Sequence, residues 1–165
     1  MRTQGVEIKI AHLMKNILLF FLSTSFSQLL WAQDHSLEKD STDRQLVHSF
    51  IQDLANPTMA TDILISQYLT VQHPSEELYD YLDASLQEIR INLSTKNLEE
   101  IQHISYLQMP KKEVNDIDLE GNLPTKIYFI KYQGRIVTSL LINENKIASF
   151  TLVSKGNRKA HFVTY

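Results

Sequence analysis

The chain has 165 residues, 43% apolar and 21% charged, which suits one folded domain and excludes global disorder. It contains no cysteine, so disulfides, thiolate zinc sites, iron–sulfur clusters and cysteine nucleophiles are excluded. The formal net charge is −3, and Lys111-Lys112 and Arg158-Lys159 are isolated basic doublets, so neither nucleic acid nor anionic lipid is an expected partner.

Arg2, Lys9 and Lys15 precede an apolar run from Ile17 to Ala32, the pattern of a secretory signal peptide over residues 1–32. Ser23, Thr24, Ser25, Ser27 and Gln28 dilute the run below the roughly 20 predominantly apolar residues of a membrane span. Cleavage is expected beside Ala32 or Gln33, leaving no stable membrane anchor, with the product exported to a periplasm or the medium. Met14 competes with Met1 as the start. Removing Arg2, Lys9, Lys15 and Glu7 from 16 basic and 19 acidic residues leaves 13 and 18, a formal charge of −5. An exported domain without disulfides fits a bacterial route better than a eukaryotic one.

Residues 33–40 are polar and read as a disordered lead-in to a single domain over 41–165. Ser41-Thr42-Asp43 offers N-cap oxygens, with Gln45 in capping-box position after Thr42. Leu46, Val47, Phe50, Ile51 and Leu54 then form one helical face, stopped by Asn56-Pro57. A shorter helix starts at Thr58 or Thr61 and carries Ile63, Leu64, Tyr68 and Leu69, ending before Pro74. Ser75 caps a third helix with Glu76 and Glu77 in its first turn and a stripe of Leu78, Leu82, Leu86, Ile89 and Leu93.

After Asn97 the period changes. Glu99–Met109 reads as a strand and Pro110–Pro124 as a loop. Lys126–Tyr132, Arg135–Asn143, Lys146–Val153 and Arg158–Tyr165 read as four strands joined by short turns, an antiparallel meander. Residues 136–142 are apolar on both faces, so that strand belongs in the centre, with helices on one side and another layer opposite. Helices followed by strands give an α+β fold: N-terminal helices packed on a curved antiparallel sheet.

This order of elements, the helices at 42–55 and 75–93 followed by the strands from 126 to 165, resembles the nuclear transport factor 2-like (cystatin-like cone) superfamily, in particular its small exported bacterial members. The resemblance implies a sheet wrapped around a helix and a pocket inside the cone. It departs from many members in lacking a β-hairpin before the last helix, where only Tyr68–Gln72 supplies a short strand. None of the family's acid, base or tyrosine positions can be matched here, so the resemblance implies no activity.

Chemistry-bearing motifs are sparse. The glycines at 5, 121, 134 and 156 form no phosphate loop, no serine sits in a nucleophile elbow, and the six histidines have no zinc spacing. Asp116 to Gly121 imitates the start of a calcium loop, but Ile127 stands where its bidentate Glu is required, so a polar turn is expected. Asn92-Leu93-Ser94 is a formal glycosylation sequon, expected to be held down by Leu93. His103 and His161 lie on strands that a meander can bring together, and tyrosines at 106, 128, 132 and 165 combine an apolar body with a polar tip.

The resulting expectation is an exported, non-catalytic binding or accessory domain that holds a small apolar ligand or a protein partner. His103, Tyr106, Tyr128 and His161 are the candidate ligand-contacting residues. No catalytic residue, metal or cofactor is expected. Two rivals stand: a cone-fold enzyme of isomerase or hydrolase type with an acid/base residue in its pocket, and an envelope assembly factor pairing through an edge strand. A homodimer is left open.

Overall fold

The computed structural model describes residues 41–165; the leader and the lead-in lie outside them. Helix α1 covers residues 41–55 of the described chain. Ser41, Thr42 and Asp43 are already helical, so the expected cap at these positions is corrected: they belong to the helix body. Val47, Phe50, Ile51 and Leu54 form its buried stripe. The helix ends where Asn56 Oδ1 accepts bonds from Thr58 N at 3.0 Å and Oγ1 at 2.8 Å, an Asx turn ahead of α2.

Helix α2 (Thr61–Tyr68) buries Leu64, Ile65 and Tyr68. Ile63, expected inside, is 47% exposed, because Ile65 takes the inward position. Helix α3 (Glu76–Ser94) begins as expected, with Ser75 Oγ accepting from Leu78 N at 3.2 Å. Leu82, Leu86 and Leu93 are buried, and Leu78 and Ile89 pack against the same core part-exposed. Arg90 ties α3 to the α1–α2 connection, donating from Nε to Leu54 O at 2.9 Å and from Nη2 to Met59 O at 2.6 Å.

The expected strand over 99–109 shrinks to β1 (Gln102–Ser105) between two 3₁₀ turns, Leu98–Glu100 and Tyr106–Gln108. Its end is local chemistry: Gln108 Oε1 accepts from Ser105 N at 3.3 Å and Ser105 Oγ at 3.1 Å, turning the chain out of the ladder. The following loop contains one short helix, α4 (Lys111–Val114), and a 3₁₀ turn at Pro124–Lys126. Strands β2 (Ile127–Tyr132), β3 (Arg135–Asn143) and β4 (Lys146–Ser149) complete an antiparallel sheet of order β1-β2-β3-β4. Register shifts opposite Val137 and Ala148 insert an extra residue in β3 and β4, the bulges that bend such strands.

The long strand expected over 146–153 is broken. Ser149 Oγ accepts from Thr151 N at 3.0 Å, and the Tyr165 hydroxyl accepts from Phe150 N at 3.1 Å while sharing a bond with Thr151 Oγ1 at 2.5 Å. These bonds satisfy backbone and side-chain groups outside a ladder. The chain therefore leaves the sheet and forms a separate hairpin, β5 (Leu152–Gly156) with β6 (Lys159–Phe162).

Two cores result. On one face of the sheet Tyr128, Ile130, Leu140, Ile142 and Ile147 meet the stripes of α1, α2 and α3. On the other, Ile127, Phe129, Leu141 and Ala148 meet Met109, Val114, Ile117 and Phe162. The layer expected opposite the helices is thus α4, the 116–118 segment and the hairpin. The architecture is α+β, helices followed by antiparallel strands.

Candidate binding clefts

The four candidate residues fall into separate settings. Tyr128 is fully buried in the helix-facing core. Tyr106 serves the smaller core: its ring lies 6.3 Å from that of Phe129 and its hydroxyl donates to Val114 O at 3.2 Å. His103, on β1, meets His48 of α1 edge-on with ring centroids 5.6 Å apart. Burial, and then the neighbouring His48, holds its pKa below the ordinary histidine value. His161 lies in the other sheet, its Nδ1 2.9 Å from Glu120 Oε2, so the two strand histidines are not partners.

His161 belongs to an exposed charge network. Lys155 Nζ is 2.7 Å from both Asp118 Oδ2 and Glu120 Oε1. Hydrogen bonds from Lys155 hold both carboxyls below their usual range. The segment that imitates a calcium loop is therefore a turn whose carboxylates face a lysine. Glu120 and Gly121 both have positive φ, 48° and 85°, which makes the turn.

Among the described residues, two surface clefts can be traced, and none of the four candidates lines either. The first, about 590 Å³, runs between the end of α3 and the β2–β3 turn. Lys96, Arg135 and Tyr132 define it. Lys96 Nζ donates to Asn92 O at 2.7 Å, answering the negative end of α3, and stands 5.8 Å from the Tyr132 ring centroid. Arg135 has no ion-pair partner among the described residues. Asn92 is exposed on this cleft, which corrects the expectation that Leu93 would hold the sequon down; Leu93 alone is buried.

The second cleft, about 380 Å³, lies between α1, the last turn of α2 and the β3–β4 turn. Gln45, Leu46 and Ser49 come from α1, Gln67 and Tyr68 from α2, and Asn145 from the turn. Glu144 and Asn145 have φ of 48° and 61°, the left-handed pair a tight hairpin turn needs, and this presents Asn145. Tyr68 is fixed: its hydroxyl donates to Asp53 Oδ2 at 2.5 Å, and burial followed by Asp53 pushes its pKa up to about 12.

Asp43 also lines this cleft and is 2% exposed. Lys126 Nζ donates to its Oδ2, whereas Oδ1 is enclosed without a hydrogen-bond partner among the described residues. An unmade buried acceptor costs about 1–3 kcal/mol, so such an atom calls for a donor. Nothing in the sequence separated Asp43 from an ordinary capping residue, because its ion-pair partner, Lys126, lies 83 residues away.

Among the described residues no group of three or more His, Asp or Glu is placed to hold a metal ion. Searches against protein-family models, curated proteins and solved structures find no match for this chain.

Proposed function

We propose that the chain is an exported, non-catalytic binding or accessory domain that takes its ligand or partner in a surface cleft. The observation that carries this reading is the placement of the two histidines best suited to proton transfer. His103 packs against another histidine, and His161 pairs with Glu120 on the surface, outside both clefts. A general acid or base must reach the substrate proton from within the site, and neither is so placed. Tyr68, the tyrosine in the second cleft, is held to Asp53 with its proton retained.

Filled cores on both faces of the sheet move the binding site from a cone interior to the surface. The order of helices and antiparallel strands supports a remote relation to the nuclear transport factor 2-like superfamily, with the break at Phe150–Thr151 as the departure. Export rests on the leader pattern, and intact mass of the product from an exporting host tests it.

The functional test offers the mature domain chromogenic esters, phosphoesters and glycosides alongside a ligand library read by thermal shift. Stabilisation without turnover is expected. Turnover above buffer that disappears in His161→Gln or His103→Gln would replace this reading with an enzyme.

A further inference from the structure

We infer that His48 of α1 and His103 of β1 form a two-histidine site for a borderline divalent metal ion: copper(II), nickel(II) or zinc(II). The site goes beyond the binding reading and lies outside both clefts, so either can fail without the other.

The fold brings together two imidazoles that are far apart in sequence. Their centroids stand 5.6 Å apart and their planes are inclined by 62°. Two rings that share one ion through nitrogen bonds of roughly 2.0–2.1 Å have centroids roughly 5 Å apart. A shift of about half an ångström and a turn of one ring therefore close the pair on an ion. His48 is exposed and His103 half-buried, so His48 has room to turn and an ion can arrive from solvent. Neither ring is hydrogen-bonded to another described residue, which leaves their nitrogen lone pairs uncommitted.

The donor type selects the ion. Copper, nickel and zinc take imidazole nitrogen, whereas calcium and magnesium require several oxygens. Among the described residues no third His, Asp or Glu joins the pair. Arg44, one turn before His48, adds positive charge and reaches Gln108 just beyond β1 at 3.4 Å. A cation attracted by charge alone is therefore disfavoured. One held by lone pairs keeps its remaining positions for water or an incoming donor. Burial also favours the neutral ring of His103, the form that binds metal.

The test titrates the isotope-labelled chain, first stripped of metal by a chelator, with zinc chloride, following ring and backbone resonances. His48 and His103 should shift together and saturably, ahead of His12, His35, His73 and His161. Copper(II) below one equivalent should broaden the amides of residues 47–49 and 102–104 first, and calcium chloride should shift neither ring. His48→Ala and His103→Gln, at an exposed and a half-buried position, should each weaken zinc binding at the other ring at least about tenfold, the loss of chelation. His161→Gln should change nothing. His48→Ala lies on the surface of α1, so it decides the matter even where His103→Gln disturbs the sheet. Independent titration of the two rings overturns the assignment, as does unchanged affinity at one ring after removal of the other. A first response at His161 and Glu120, or an equal response to calcium, also overturns it.

Discussion

The two faces of the sheet are built differently. The helix-facing core is assembled from long periodic stripes, with Leu82, Leu86, Phe50 and Leu54 spaced so that one helical face is continuous. The opposite core rests on short irregular pieces: a four-residue helix, the 116–118 segment and a two-stranded hairpin. Polar ties supplement its limited apolar area. Lys131, nearly buried on β2, reaches Glu113 of α4 at 2.9 Å, and the backbone of 116–118 bonds to Ala160 at 2.7 and 2.9 Å. One face is held mainly by burial, the other by burial together with specific pairings, so the two should fail in different ways.

The largest effect is expected in the helix-facing core. Leu82→Ala or Leu86→Ala should lower global stability by about 2–5 kcal/mol in urea unfolding, the usual range for a buried leucine. Losses below about 1 kcal/mol at both would mean that this face does not carry the fold.

On the other face, Glu113→Ala removes the partner of a nearly buried lysine. A loss of about 1–3 kcal/mol is expected, between the values for buried and exposed pairs, since Glu113 is partly exposed. Hydrogen exchange should show faster opening at α4 with α3 unchanged. Equal acceleration in both would erase the distinction between the cores.

A smaller effect follows from His103. Its folded-state pKa is depressed, so the unfolded chain binds the proton more readily. Stability should therefore be full above about pH 6.5 and decline as pH falls towards the folded-state value. His103→Gln should flatten that slope between pH-jumped urea titrations, and an unchanged slope would place the titration elsewhere.

The smallest effect belongs to the hairpin. Asp118 and Glu120 have depressed pKa values, so their contribution is present above the ordinary carboxylate range and lost as pH falls below it. Amide exchange at Val153 and His161 should quicken there, or at neutral pH in Lys155→Ala, with no change in α3. A response in α3 would show that the network supports the whole fold.

Local elements were the legible ones. The cap at Ser75, the α3 stripe and β3 depend on residues within a few positions, and periodicity reports those directly. The strand break at Phe150–Thr151 was hidden because Tyr165 makes it from 14 and 15 residues away. Ile63 and Ile65 are equally apolar, and only the tertiary partners of α2 decide which turns inward. The site was less legible still. The amides and hydroxyls of the second cleft are ordinary surface residues until α1, α2 and a turn are brought together.

The sheet has two outer edges, and they are treated unequally. That of β4 is taken up by the chain after α2, with Thr70 N bonded to Ile147 O at 2.9 Å. That of β1 is left as four residues between two 3₁₀ turns. A strand from another molecule could gain only a short run of hydrogen bonds there before the turns carry the backbone away. Brevity thus guards this edge against runaway sheet-to-sheet stacking, and lengthening β1 through Tyr106–Gln108 would turn a soluble edge into a seed for fibres.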